Sequence, residues 1–292
     1  MNSKPNLLLI GFPRCGTTAL AYTLSKHPDI FVCEPKEPHF LAFNGTQLKI
    51  SGPGKEAFST DRVYKQEQWQ TLFSKKDDRY LLDASVTTVS YPESSTKNIE
   101  MFCDPDVRLI VMLRDPVERA HSSYLYNLAR GWNAGSFEEG LEKETQRIKD
   151  GWQHLWFFKW LSDYEPRMQP FETRFGRSNI CYLSTEEFKK NPQRVANKIC
   201  RFLNIENMKI DSSERVNAGG KPRSRAFTSL TRIIRGYPVL HGVVKKITSQ
   251  RLRERVREIN LSRPGMRNST RIKLETEFQE TKAWMLSRLN EE

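Results

Sequence analysis

The strongest constraint on this chain is the run Gly11-Phe12-Pro13-Arg14-Cys15-Gly16-Thr17-Thr18, set between an apolar tetrapeptide and a helical pattern. Leu7-Leu8-Leu9-Ile10 is apolar on both faces and stops at a glycine, which predicts a short, fully buried strand. From Thr17 to Lys26, Leu20 and Leu24 recur one turn apart and Pro28 closes the segment, which predicts a helix. Strand, glycine loop and helix in this order turn backbone N–H groups and a helix N-terminus toward an anion. The GxxxxG frame lets the backbone approach closely, and the threonine hydroxyls add donors. A nucleotide triphosphatase loop places Lys directly after its second glycine. Here that position is Thr17 and the cation stands earlier, at Arg14, which disfavours an ATPase or kinase of that type.

The rest of the chain repeats the alternation of strand and helix. Phe31-Val32, Tyr80–Leu82, Val107–Leu113 and Asn179–Leu183 read as strands. Asp115-Pro116 starts a helix, with Asp as N-cap and Pro at the first helical position, running to about Arg130. Phe137–Lys149, Trp156–Tyr164 and Pro192–Leu203 read as further helices. Ser269–Leu289 reads as one long amphipathic helix. Strands separated by helices predict a single α/β domain over residues 1–292, with a central parallel sheet flanked by helices and a P-loop-like phosphate-binding loop. Residues 45–60 and 212–225 are rich in Gly, Ser and Pro and are expected to be long loops.

Charge and cysteine content narrow the function classes. The chain carries 47 basic and 35 acidic residues, a net charge of +12, which favours a polyanionic partner such as a nucleotide. The excess concentrates between Arg215 and Arg257, and a solvated basic face explains such a run as well as a binding surface does. Cys15, Cys33, Cys103, Cys181 and Cys200 are odd in number and scattered, so neither a disulfide framework nor a zinc site is expected. No apolar run approaches the ~20 residues of a membrane span, and the apolar N-terminal stretch is too short for a signal segment. The expectation is a cytoplasmic protein without a membrane span.

Four segments in order resemble the sulfotransferases that use 3′-phosphoadenosine 5′-phosphosulfate (PAPS), in particular the glycan and heparan-sulfate type in a soluble bacterial form. GFPRCGTTAL is similar to their 5′-phosphosulfate loop, which implies donor contacts from Arg14, Cys15, Gly16, Thr17 and Thr18. Pro35-Lys36-Glu37-Pro38-His39-Phe40 is similar to their KEPHFF segment, which implies Glu37 as general base. Arg114-Asp115-Pro116-Val117-Glu118-Arg119-Ala120-His121-Ser122 resembles their 3′-phosphate motif, which implies that Arg114 and Ser122 bind that group. Asn217-Ala218-Gly219-Gly220-Lys221-Pro222-Arg223 resembles the basic loop that closes over the nucleotide, which implies contacts from Gly219, Gly220, Lys221 and Arg223. The implied reaction is in-line transfer of a sulfuryl group to an acceptor hydroxyl or amine, with Arg14 stabilising the leaving phosphate and no metal required.

Several assignments stay open at the level of sequence. Lys36 either assists the leaving group or is a surface lysine. His39, placed with Ser85 on the acceptor side, either touches the acceptor or only starts a helix. Arg114 alone reads equally as an ion-pair partner of Asp115 or Glu118. Many glycan sulfotransferases carry a lysine where Ala84 falls, so the acceptor is not fixed by the resemblance; a carbohydrate is expected, with a lipid or small phenol as alternatives. Trp152, Trp156 and Trp160 lie at helical spacing and read as core before they read as an acceptor platform. Two other functions are consistent with parts of the sequence: an ATP-dependent small-molecule kinase using the same loop, and a basic nucleic-acid-binding protein, for which no recognisable motif is present.

Overall fold

The structure is a computed structural model that describes residues 4–46, 49–58, 65–74, 78–132, 135–210, 221–222, 261–262 and 264–290. Five parallel strands form its centre: β1 (Leu7–Leu9), β2 (Ile30–Val32), β3 (Tyr80–Asp83), β4 (Arg108–Leu113) and β5 (Ile180–Ser184), in the order β2-β3-β1-β4-β5. Leu7, Leu8 and Leu9 are fully buried, as a central strand covered on both faces requires. Register pairs Leu7 with Leu82 on one side and with Arg108 on the other. The chain therefore winds to one side of β1 through β2 and β3, then crosses to β4 and β5. In an open sheet of this kind the crevice where the winding reverses, at the carboxyl ends of the strands, is where ligands bind. Here that crevice lies between β1 and β4.

Helices on both sides supply the apolar cover. They are α1 (Thr17–Leu24), α2 (Phe40–Phe43), α3 (Gln66–Thr71), α4 (Thr87–Ser90), α5 (Pro92–Phe102), α6 (Pro116–Ala129), α7 (Phe137–Glu142), α8 (Glu144–Lys149), α9 (Glu165–Phe175), α10 (Thr185–Lys190) and α11 (Pro192–Leu203). A two-residue antiparallel pair, β6 (Lys221–Pro222) with β7 (Leu261–Ser262), precedes α12 (Asn268–Glu277) and α13 (Gln279–Asn290). One continuous core runs from Leu7 to Trp284. Asp115 caps α6 as expected, its carboxylate accepting the Glu118 amide at 3.0 Å.

Three helical expectations are corrected. Phe137–Lys149 is two short helices meeting at Lys143, and Ser269–Leu289 is two helices meeting at Phe278. Trp156–Tyr164 is not a helix; only 3₁₀ turns at His154–Trp156 and Trp160–Ser162 flank an irregular link. Groups from other elements take the place of helical bonds in holding that link. The buried Glu144 carboxylate accepts the amides of Phe158, Lys159 and Trp160 at 2.8, 2.8 and 2.7 Å. Arg119, fully buried on α6, donates to the Ser162 hydroxyl at 2.7 Å and to the carbonyls of Phe157 and Phe158.

The tryptophans themselves are mainly core. Trp156 is fully buried and stacks on Trp132 with ring centroids 5.9 Å apart. They also seat the 49–58 segment. Pro53's carbonyl accepts from Gln153 Nε2 and Trp156 Nε1, each at 2.9 Å. A Cβ on Gly54 would stand 2.1 Å from Trp132, so only glycine lets this backbone lie on the indole.

Candidate active site

The glycine loop fills the turn between β1 and α1, and close approach dictates its glycines. A Cβ on Gly11 would lie 2.7 Å from the Met112 amide nitrogen of β4. Gly16 caps α1 at φ +88°, a left-handed conformation that a side chain would strain. Between them Phe12 and Cys15 close a turn, with the Cys15 amide 3.2 Å from the Phe12 carbonyl, and Arg14 holds φ +74°. The Thr17 and Thr18 amides lie in the first turn of α1, where no carbonyl of the helix can receive them. Thr17 is buried and Thr18 exposed. Burial raises the Cys15 thiol to about 11, so Cys15 serves as a packed wall rather than a nucleophile.

A residue absent from the sequence expectations anchors this loop. Thr185, just past β5, places its hydroxyl 2.6 Å from the Cys15 carbonyl and 2.8 Å from the Leu113 carbonyl. It ties the loop to the end of β4 from 170 residues beyond Cys15, a separation that gives no local signal.

Two guanidinium groups meet at the crevice. Arg14 lies with its guanidinium 4.6 Å from the centroid of Tyr126, and its Nε is shut off from solvent without a hydrogen-bond partner. Burial lowers its pKa, an effect that the Tyr126 phenol group opposes and neighbouring Arg114 reinforces. Arg114 leaves the end of β4 and donates from Nη1 to the Arg14 carbonyl at 3.4 Å. Its remaining partners are distant carboxylates, Glu118 at 3.8 Å and Glu186 at 3.9 Å, and its buried Nε makes no hydrogen bond. Tyr164 fixes the strand end by donating to the Arg114 carbonyl at 2.7 Å, while its ring packs on Phe12 at 4.5 Å. Ser122 is half-buried on α6, one turn beyond Glu118 and on the same helix face, hence on the side that meets Arg114.

Lys36, Glu37 and His39 lie in the connection from β2 to α2. Lys36 Nζ is 2.7 Å from Glu37 Oε1 and donates to the Ala84 carbonyl at 3.2 Å. An ammonium thus stands beside Ala84. His39 has φ +60°; its amide donates to Ser85 Oγ at 3.4 Å, and its Nδ1 lies 3.1 Å from Thr87 Oγ1. Burial holds its imidazole below the usual value, with Glu37 opposing. Ser85 is buried and its hydroxyl donates to Asp83 at 2.6 Å, so it supports the loop from behind. Asp83 also accepts Trp69 Nε1 at 2.8 Å, and burial raises its pKa. Around His39 stand half-buried Phe43, Phe58 and Tyr91, with buried His154 behind them.

The closing basic loop falls mostly outside this description. Gly219, Gly220 and Arg223 lie outside the described residues, as does the basic run to Arg257 apart from Lys221. The β6 backbone, which contains Lys221, lies beside α6. Among the described residues no group of three His, Cys, Asp or Glu side chains could hold a metal ion, and no helix is long and apolar enough to cross a membrane.

Residues 5–209 match the sulfotransferase family. Human carbohydrate sulfotransferase 15 is 24% identical over 69% of this chain and 44% of its own length. The bifunctional heparan sulfate N-deacetylase/N-sulfotransferase 1 of Caenorhabditis elegans is 24% identical over 70% of this chain and 22% of its own. The chain thus spans less than half the length of these curated relatives. Among solved structures, a sulfotransferase from Alicyclobacillus acidocaldarius superposes with a TM-score of 0.68 at 26% identity, covering 86% of this chain and 99% of that one. With matched residues running from before β1 to beyond α11, and so taking in the glycine loop, Glu37 and Arg114, the chain belongs to the sulfotransferase family.

Proposed function

We propose that this chain moves a sulfuryl group from PAPS to a hydroxyl or amine of a carbohydrate acceptor, and that it works in the cytoplasm. The observation that carries the donor assignment is the pair of arginines beyond adjacent strands, Arg14 in the loop after β1 and Arg114 directly after β4, with Arg114 reaching the Arg14 backbone at 3.4 Å. PAPS differs from ATP in bearing a 3′-phosphate besides its 5′ chain, and two neighbouring cation sites suit two such anions. The Nε atoms of Arg14 and Arg114, buried without a hydrogen bond, and the tight glycine cradle fit this ligand. Arginine binds phosphate oxygens bidentately, which favours it at both places.

In the proposed step Glu37 takes the proton of the acceptor hydroxyl or amine. The freed lone pair forms the new bond to sulfur, the bond from sulfur to the bridging phosphate oxygen breaks, and 3′-phosphoadenosine 5′-phosphate (PAP) leaves. Arg14 and the loop amides stabilise the charge that collects on the departing oxygen. Lys36, paired to Glu37, keeps a carboxylate and an ammonium together at the reacting end. Ser85 and Asp83 hold that loop in place. The aromatic wall of Phe43, Phe58 and Tyr91 offers flat apolar faces to a sugar ring, and the named activities of the relatives on carbohydrate and heparan sulfate favour the same class. Five buried, unpaired cysteines agree with a reducing compartment.

The test is transfer of radiolabelled sulfuryl from PAPS to a panel of glycans by wild type and Glu37→Gln. We predict labelled glycan with wild type and a rate lower by ~10²–10⁴-fold in the variant, with PAP affinity unchanged. Equal rates would remove Glu37 as base, and transfer only to lipid or phenol controls would overturn the carbohydrate assignment.

A further inference from the structure

Among the described residues Arg14, half-buried with its Nε shut off from solvent, is a cation that no carboxylate pairs with. An uncompensated cation of this kind is costly to keep out of water. What faces it is the ring of Tyr126, at 4.6 Å. An aromatic face attracts a cation through its quadrupole yet carries no net charge. It therefore steadies the guanidinium without neutralising it, whereas a carboxylate in the same place would compete with an anionic ligand.

The position of Tyr126 on α6 gives this contact a wider meaning. Glu118, Ser122, Tyr126 and Arg130 follow one another at four-residue spacing and so form one stripe along the helix and its C-cap. Glu118 meets Arg114, Tyr126 meets Arg14, and the Arg130 guanidinium lies 4.7 Å from the same Tyr126 ring. Arg130 Nη2 also donates to the Tyr126 hydroxyl, which restrains the ring from its far end. A single rigid helix thus sets both arginines of the crevice.

We propose that Tyr126 is a positioning residue that seats Arg14 in the glycine loop by its aromatic face while leaving the arginine's charge available to the donor. The proposal rests on the reading of Arg14 as a donor-binding cation. It requires the π face and not the hydroxyl.

Calorimetric titration of the full chain with PAP tests it. Tyr126→Phe, which keeps the face, retains most of the wild-type affinity. Tyr126→Leu binds about tenfold more weakly, the size of one well-placed cation–π contact. Tyr126→Glu binds more weakly still, because its carboxylate pairs with Arg14. In an Arg14→Ala background the leucine substitution has no further effect, which separates seating of Arg14 from general loosening of α6. Tyr126→Gln, without a π face, replaces the leucine variant should that one not fold. Wild type that binds PAP while Tyr126→Leu binds equally well would overturn this proposal alone, as would additive losses in the double variant. Wild type that fails to bind PAP would overturn the donor reading beneath it.

Discussion

His154 lies only 1% exposed between the rings of Phe58 and Tyr91, and burial, reinforced by His39 and Arg119, lowers its pKa from 6.5 to about 3. Its folded form thus stays neutral at pH values where the unfolded chain takes up a proton. The stability that follows is complete above pH 6.5 and is lost progressively as pH falls from 6.5 toward 3, at up to ~1.4 kcal/mol per pH unit. We predict that His154→Leu flattens this acid limb, measured as urea-unfolding free energies at pH 7 and pH 5. Equal slopes in variant and wild type would mean that His154 is protonated in the folded protein. Asp83 is a second buried group with an opposite sign: its raised pKa makes its ionised form a cost that grows as pH rises through the folded value. Its hydrogen bonds from Trp69 and Ser85 offset that cost and hold the end of β3 under the Glu37 loop.

At the scale of elements, the glycine loop belongs to a local strand–loop–helix whose geometry was legible for that reason. Gly11, Arg14, Gly16 and the buried strand before them are adjacent in sequence, so periodicity and glycine spacing together specify their geometry. Asp115 as N-cap of α6 was legible in the same way. Thr185, Tyr164, Arg119 and Glu144 were not, because each acts on a backbone group far away in sequence. The same distance explains the misread helix at 156–164: tryptophans at helical spacing satisfy a periodicity rule, but Glu144 and Arg119 supply the backbone partners that replace helical bonds. We predict that Thr185→Val, which keeps the shape and removes the hydroxyl, costs ~1–2 kcal/mol in urea unfolding and weakens PAP binding. A variant as stable as wild type, with unchanged affinity, would show that the loop is held without this bond.

For the whole molecule, sheet topology brings the parts together. Winding reverses between β1 and β4, so the loop after β1 and the arginine after β4 open into one crevice, while Glu37 arrives from β2 two strands away. The net charge of +12 favours approach of an anionic nucleotide to such a crevice. The C-terminal helices complete the shell: Arg271 pairs with Glu118 at 2.8 Å and Lys282 with Asp115 at 3.0 Å, and Trp284 packs against Tyr182 of β5. They steady the start of α6 from outside, where Arg114 is presented. The proposed donor differs from ATP in its 3′-phosphate, whose recognition we propose falls to Arg114 and Ser122. The most direct measurement is calorimetric titration with PAP, and with ADP as control, in the absence of magnesium. The account predicts micromolar binding of PAP (about −8 kcal/mol) and ADP at least about tenfold weaker, a preference that Arg114→Ala abolishes. Equal affinity for both nucleotides, or no binding of PAP, would contradict it.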